Sequence, residues 1–338
     1  MKRALLVLVT LIVLAAGAFA TWLLVGAEQP FKGYSGPEQF VEIPPGAGPA
    51  SIARRLAESG VIRDPYSFRI ALAKSGQARR LQAGEYRFDR PMNSHEVIEK
   101  IAKGDVFLRP ITFPEGLTIR QMAEIYERDG GGKKADFVHA SRNAALIHDI
   151  DPMAQDLEGY LFPDTYRLPR RATADQLVER MVTGFRDVMT PELVQKAAAR
   201  GSSVRELITL ASLVEKETAK PGERPVVAAV YANRLKIGMG MQCDPTVIYA
   251  LEKAGQYTGN LTRDDLRFDS PYNTYKYAGL PPGPIASPGR ASIEAAASPA
   301  DVPYLYFVSR NDGSHVFSAT LEEHNRNVFE YQVKPFRH

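Results

Sequence analysis

The stretch ASLVEKET, residues 211–218, closes a helical pattern that begins at Val204 and decides how the body of this chain is built. Leu207, Ile208, Leu210, Ala211, Leu213 and Val214 cover most of the helix circumference. A helix apolar nearly all round must be enclosed on several sides by other elements. Lys216 marks its one polar side. Glu215 falls beside Ile208 and Ala211, and Glu217 beside Leu210 and Leu213, so both carboxyls border apolar surface. Both stand in the last turn, ahead of Pro221, where the macrodipole and partial desolvation oppose ionisation. A carboxyl that keeps its proton near neutral pH is what a general acid needs. A pair of surface glutamates flanking a lysine is the alternative, and spacing does not choose between Glu215 and Glu217.

Around this helix the sequence predicts helices over 172–189 and 224–236, the second ended by Gly238. Asp244-Pro245 reads as an N-cap with proline at the first helical position, opening a helix through Tyr249. Thr262 with Asp265 has capping-box spacing. Residues 304–309 and 315–319 alternate like strands around Asn311-Asp312-Gly313, a hairpin turn, and Thr320 with Glu323 caps a final helix. This grammar predicts a mixed α+β domain over 156–338, with an acid carried on a helix.

Upstream, residues 40–110 predict a smaller α+β module: strands at 40–43 and 84–88, and helices near 52–57, 65–74 and 94–104. Ile43-Pro44-x-Gly46 with Ile52-Ala53 is echoed at constant offset by Phe113-Pro114-x-Gly116 with Met122-Ala123. The echo suggests two strand-helix units packed in one module, with 111–155 as a connecting strand-helix unit. Residues 28–39, rich in Gly and Pro, read as a tether. Ahead of it, Lys2 and Arg3 precede an apolar run over 4–27 interrupted only by Thr10 and Thr21. Such a run predicts a single transmembrane anchor over 1–27, the N-terminus in the cytoplasm and the body outside the cytoplasmic membrane. A cleaved signal at Ala18-Phe19-Ala20 is the rival reading, but the apolar run continues through Trp22 to Val25.

The chain has 338 residues, 44% apolar and 24% charged, enough for real cores, and a net charge of +3 is too slight to argue for nucleic acid. Cys243 is the sole cysteine, which excludes an intramolecular disulfide and reads as a small buried side chain. The histidines show no close metal-ligand pair, and neither a nucleophile elbow nor a phosphate-cradling glycine motif occurs. No metal and no cofactor are expected.

Three further segments carry candidate chemistry. EGYLFPDTYRL, residues 158–168, sets Tyr160, Phe162 and Tyr166 between Glu158 and Asp164. Aromatic faces suit sugar rings, and a core-facing stripe with a Pro-Asp turn is the alternative. MQCDPTVIY, residues 241–249, offers Gln242 and Asp244, the latter a cap that can also edge a site. DSPYNTYKYAGLPPGPIASPG, residues 269–289, is a long loop in which Tyr272, Asn273, Thr274, Tyr275 and Tyr277 suit carbohydrate recognition. Its prolines hold it rigid, either for binding or for closing the fold.

In this order, EGYLFPDTY, ASLVEKET, IGMGMQCDPTVIY and SPYNTYKYAGLPPGPIASPG, closed by PYLYFVS and GSHVFSATLEEHN, resemble the endolytic murein transglycosylase (YceG-like) family over nearly the whole length. IPPGAGPASIARRLAESGVI is similar to the family's LysM-like peptidoglycan-binding subdomain. The resemblance implies non-hydrolytic cleavage of the MurNAc-β-1,4-GlcNAc bond in peptidoglycan strands, leaving a 1,6-anhydroMurNAc end, near membrane-bound synthases. It implies Glu215, as the first acid of the E-K-E-T motif, in the catalytic role. Glu158, Asp164, Gln242, Asp244, Tyr272, Asn273, Thr274 and Tyr275 are then expected to bind the glycan. A hydrolytic glycosidase pairing Glu215 with Asp244 or Glu158, and a non-catalytic scaffold, are the competing expectations.

Overall fold

The computed structural model describes residues 2–336. The chain forms two compact units, one reaching to Arg109 and taking in Pro169–Arg171, the other formed by Pro110–Leu168 and the chain from Ala172 onward. Both mix helices with small two-stranded sheets.

The first unit opens with α1 (Lys2–Glu28), followed by β1 (Gln39–Ile43), α2 (Pro49–Glu58), α3 (Pro65–Ser75), β2 (Gly84–Phe88) and α4 (Ser94–Lys103). β1 and β2 pair antiparallel, Val41 opposite Tyr86. Alternation sends Val41, Ile43, Tyr86 and Phe88 inward, where they meet Ile52, Leu56, Phe68, Val97 and Ile101. Asp64 caps α3 through the Tyr66 and Ser67 amides, and Asn93 forms a capping box with Glu96 at α4. These strands and helices fall where the sequence predicts them.

The anchor expected over 1–27 falls on α1, parts of which lie outside the described residues. α1 is continuous, but among the described residues no helix is long and apolar enough to cross a membrane. Parts of the apolar run over 4–27 lie outside the described side chains.

The second unit contains β3 (Arg109–Thr112), α5 (Ile119–Arg128), α6 (Lys134–Ala140), β4 (Thr165–Leu168), α7 (Ala174–Val188), α8 (Pro191–Ala199), α9 (Val204–Glu217), α10 (Arg224–Lys236), α11 (Asp244–Ala254), α12 (Arg290–Ala297), β5 (Tyr306–Ser309), β6 (His315–Ser318) and α13 (Leu321–Val328). α9 runs through the middle of the core, with every residue from Leu207 to Val214 buried. The 283–289 segment is also buried, its Ile285 amide donating to Ser212 Oγ at 3.1 Å. This half of the long loop closes the fold against α9. The echoed turns share local geometry, with Gly46 at φ 76° and Gly116 at φ 78°, but they belong to different compact units, not one module. The 304–320 hairpin forms as expected, Ser309 opposite His315, with Thr320 and Glu323 boxing α13.

Candidate active site

The last turn of α9 sends its two acids into different surroundings. Residues two apart on a helix are rotated by about 200°, so Glu215 and Glu217 face nearly opposite ways. Glu215 is 7% exposed. Arg224 Nη2 donates to its Oε1 at 3.4 Å, and the Gly289 amide, at the start of α12, donates to its Oε2 at 3.0 Å. Helix N-termini favour such carboxylates. Arg224 also donates to Ser292 Oγ at 3.0 Å and lies 3.8 Å from Glu115. Burial, and then the nearness of Glu215, hold the Glu115 carboxyl above its ordinary range against the pull of Arg224. Lys216 donates to the Gly116 carbonyl at 3.2 Å. Glu215 thus ties the start of α10 to the start of α12, with both of its oxygens engaged, and Lys216 adds the 113–116 turn.

Glu217 lines a cavity of about 260 Å³ with Arg234, Gln242, Asp244, Tyr275, Phe307 and His324. It forms no ion pair among the described residues. Burial pushes its carboxyl up, the Asp244 charge adds to that, and hydrogen bonds with Cys243 and Tyr231 and the nearby His315 oppose it. His315 is itself held by Glu223, Nδ1 to Oε2 at 2.7 Å.

Several buried contacts shape this cavity. Gln242 adopts φ 50°, uncommon for a residue with a side chain. Its amide donates to the Thr274 carbonyl at 3.2 Å, and Arg234 Nη1 grips the Met241 carbonyl. Arg234 Nε donates to the Leu305 carbonyl at 2.7 Å, so one guanidinium joins α10, the 240–242 turn and the approach to β5. Tyr275 donates its hydroxyl to Asp244 Oδ1 at 2.5 Å. Asp244 is not the N-cap of α11: Cys243 holds that position, which leaves the aspartate side chain free for Tyr275.

The expected site residues divide. Gln242, Asp244 and Tyr275 gather at Glu217. Asn273 is fully buried, its amide donating to the Leu266 and Phe268 carbonyls at 3.0 and 2.7 Å. Thr274 is buried too, its Oγ1 meeting the Cys243 amide at 3.1 Å and Thr246 Oγ1 at 2.9 Å. These two hold the loop in place from inside and cannot touch a glycan. Glu158 lies in a different cavity of about 390 Å³, accepting from the Ile119 amide at 3.0 Å and the Tyr249 hydroxyl at 3.3 Å. Burial pushes it up to about 8. Tyr272 packs on Tyr249, ring centroids 4.9 Å apart. Asp164 is exposed and accepts from the Thr165 amide. Tyr160 and Tyr166 are core residues, Tyr160 bonded to Asp151 at 2.6 Å and Tyr166 to the Phe162 carbonyl at 2.7 Å.

The sequence reading missed Arg234, His324, Phe307 and Glu115. Arg234 left a trace: it follows Val230 and Tyr231 by four and three positions, on the buried face of α10. Among the described residues no three histidine, cysteine or acidic side chains are grouped to hold a metal ion.

A carboxyl raised by burial, edging a polar cavity and in no ion pair among the described residues, is equipped for general-acid chemistry. The chain belongs to the YceG-like family, whose model matches residues 41–330. It is 33% identical over 310 residues to a protein of Bacillus subtilis (strain 168) named endolytic murein transglycosylase, covering 86% of this chain and 84% of that one. A protein of the same name from Streptococcus pneumoniae serotype 2 is 31% identical, and the match takes in 94% of this chain but 62% of that longer one. The crystal structure of a YceG-like protein from Listeria monocytogenes matches with a TM-score of 0.59 and 34% identity, covering 86% of this chain and 99% of that one.

Proposed function

We propose that this protein is a lytic transglycosylase that cuts peptidoglycan strands internally, with Glu217 as its acid. The family and the names of its relatives support the enzyme class. The observation that carries the residue assignment is the contrast on α9. Glu215 is held by the Arg224 guanidinium and the Gly289 amide, whereas Glu217, bonded to Cys243 and Tyr231, edges a cavity, forms no ion pair among the described residues and has its carboxyl raised by burial. The motif resemblance implies Glu215, and the geometry favours its neighbour two positions on.

In this reading neutral Glu217 gives its proton to the glycosidic oxygen as the bond to muramic C1 breaks and an oxocarbenium-like centre forms. The leaving oxygen departs as the 4-hydroxyl of N-acetylglucosamine. The new Glu217 carboxylate takes the proton of the muramic 6-hydroxyl, whose oxygen closes on C1 to give the 1,6-anhydro end. No water is consumed, and one carboxyl serves as acid and then base. Asp244, held by Tyr275, supplies negative charge to the same cavity while the sugar is cationic.

The remaining features extend the proposal. The strand-helix-helix-strand order of the first unit supports a LysM-like, peptidoglycan-binding role. Lys2 and Arg3 ahead of the 4–27 apolar run support attachment to the cytoplasmic membrane with the body on its outer side, beside peptidoglycan synthases.

Mass analysis of digested strands tests the chemistry. Anhydro ends produced by wild type and absent with Glu217→Gln support it. Water-added reducing ends overturn it in favour of hydrolysis with Asp244 as the second carboxylate, and undiminished cleavage by Glu217→Gln overturns the assignment.

A further inference from the structure

The cavity above Glu158 has no part in the chemistry just described, yet it is built from charged groups of both signs. Arg142 and Lys253 line it, are exposed, and form no ion pair among the described residues. Lys253 Nζ is held over the rings of Tyr249 and Tyr272, 5.7 and 5.1 Å from their centroids, which fixes its position without neutralising it. Arg120 lines it too, donating to the Glu252 carbonyl at 3.1 Å, and Asp156 and Glu252 stand at the same cavity. A ligand carrying both a carboxylate and an amine meets lining groups of both signs.

The cavity also has a fixed relation to the acid. α11 carries Asp244 into the Glu217 cavity at one end and Lys253 into this one at the other. At ~1.5 Å per residue the two are about 14 Å apart along the axis. The loop beside the helix repeats the arrangement, Tyr275 on Asp244 and Tyr272 on Tyr249.

We propose that this cavity is a subsite for the peptide branch of the glycan, with Arg142 and Lys253 receiving a carboxylate and Asp156 an amine. It rests on the peptidoglycan reading above and names the part of the substrate that reading leaves open. The subsite selects strands that still carry peptides and sets their register on the acid.

The test uses the full chain and a sugar-free synthetic tripeptide of alanine, γ-linked glutamate and a diamino acid. Wild type and Glu217→Gln bind it saturably and alike, and Arg142→Ala/Lys253→Ala binds it at least tenfold more weakly while melting at the wild-type temperature. With strands as substrate, the double variant raises KM at least tenfold for peptide-bearing glycan, keeps kcat, and cleaves peptide-stripped glycan as wild type does. Absence of saturable tripeptide binding by wild type overturns the subsite, as does equal loss on both kinds of strand. Tripeptide binding without anhydro products instead overturns the proposed function and leaves the subsite standing.

Discussion

Gly159 lies beneath Pro284 so closely that a β-carbon at position 159 would come within 2.4 Å of the proline Cβ. Gly159 also sits at φ +86°, where a side chain is strained on its own account. The 158–168 segment and the proline-rich loop are therefore packed backbone to ring. Gly159→Ala is expected to lower stability by about 2–4 kcal/mol, the sum of overpacking and backbone strain. Denaturant unfolding measures it, and a change within ~0.5 kcal/mol would show that the loop is not seated there.

The two acids of α9 should fail differently. Glu217→Gln is expected to lower kcat by about 10²–10⁴-fold with little change in melting temperature. Glu215→Gln removes the charge facing Arg224 in a nearly closed setting, at a cost of about 3 kcal/mol in stability, and retains cleavage below its lowered melting temperature. Paired thermal melts and initial rates separate these outcomes. A stable, inactive Glu215→Gln would return the catalytic role to Glu215.

Activity should fall on the alkaline side. Burial first, and the Asp244 charge second, hold the Glu217 proton on above the ordinary carboxylate range. The acid works while protonated, so kcat/KM is lost as pH rises through that raised value. Asp244→Asn removes one of the two causes and should move the alkaline limb to lower pH. A limb that stays in place would detach Asp244 from the titration.

Glu158 should leave its mark on stability. Its carboxyl rises from an ordinary 4.5 to about 8 in the folded protein, so the native state binds the extra proton. Its stabilisation is complete below about 4.5 and is lost as pH climbs to about 8, a change on the order of a few kcal/mol. Glu158→Gln should flatten the pH dependence of unfolding free energy across that window. An unchanged slope would place the titration elsewhere.

Local rules carried the sequence reading far. Thr320 with Glu323 boxes the last helix as its spacing predicts, and the alternation about Asn311 makes a hairpin, because each depends only on near neighbours. The site was legible where its residues share one stretch, as Gln242 and Asp244 do. It was not legible where distant partners decide. Periodicity could not tell Glu215 from Glu217, since the difference between them is Arg224 and the Gly289 amide on one side and an open cavity on the other. Asn273 and Thr274 read as sugar ligands by composition, but their polar groups answer to carbonyls and hydroxyls that only the folded chain brings near. Glu158 was expected to share a site with the α9 acids, and it lines a different cavity from Glu217.

Through Glu215, one turn of helix clasps the loop that ends at Gly289, and through Glu217 the same turn presents its proton. Any shift in the pitch or direction of that turn would loosen the clasp before it misdirected the proton. The aim of the acid is therefore guarded by folding itself, and variants that blur it should first be recognised as proteins that melt early.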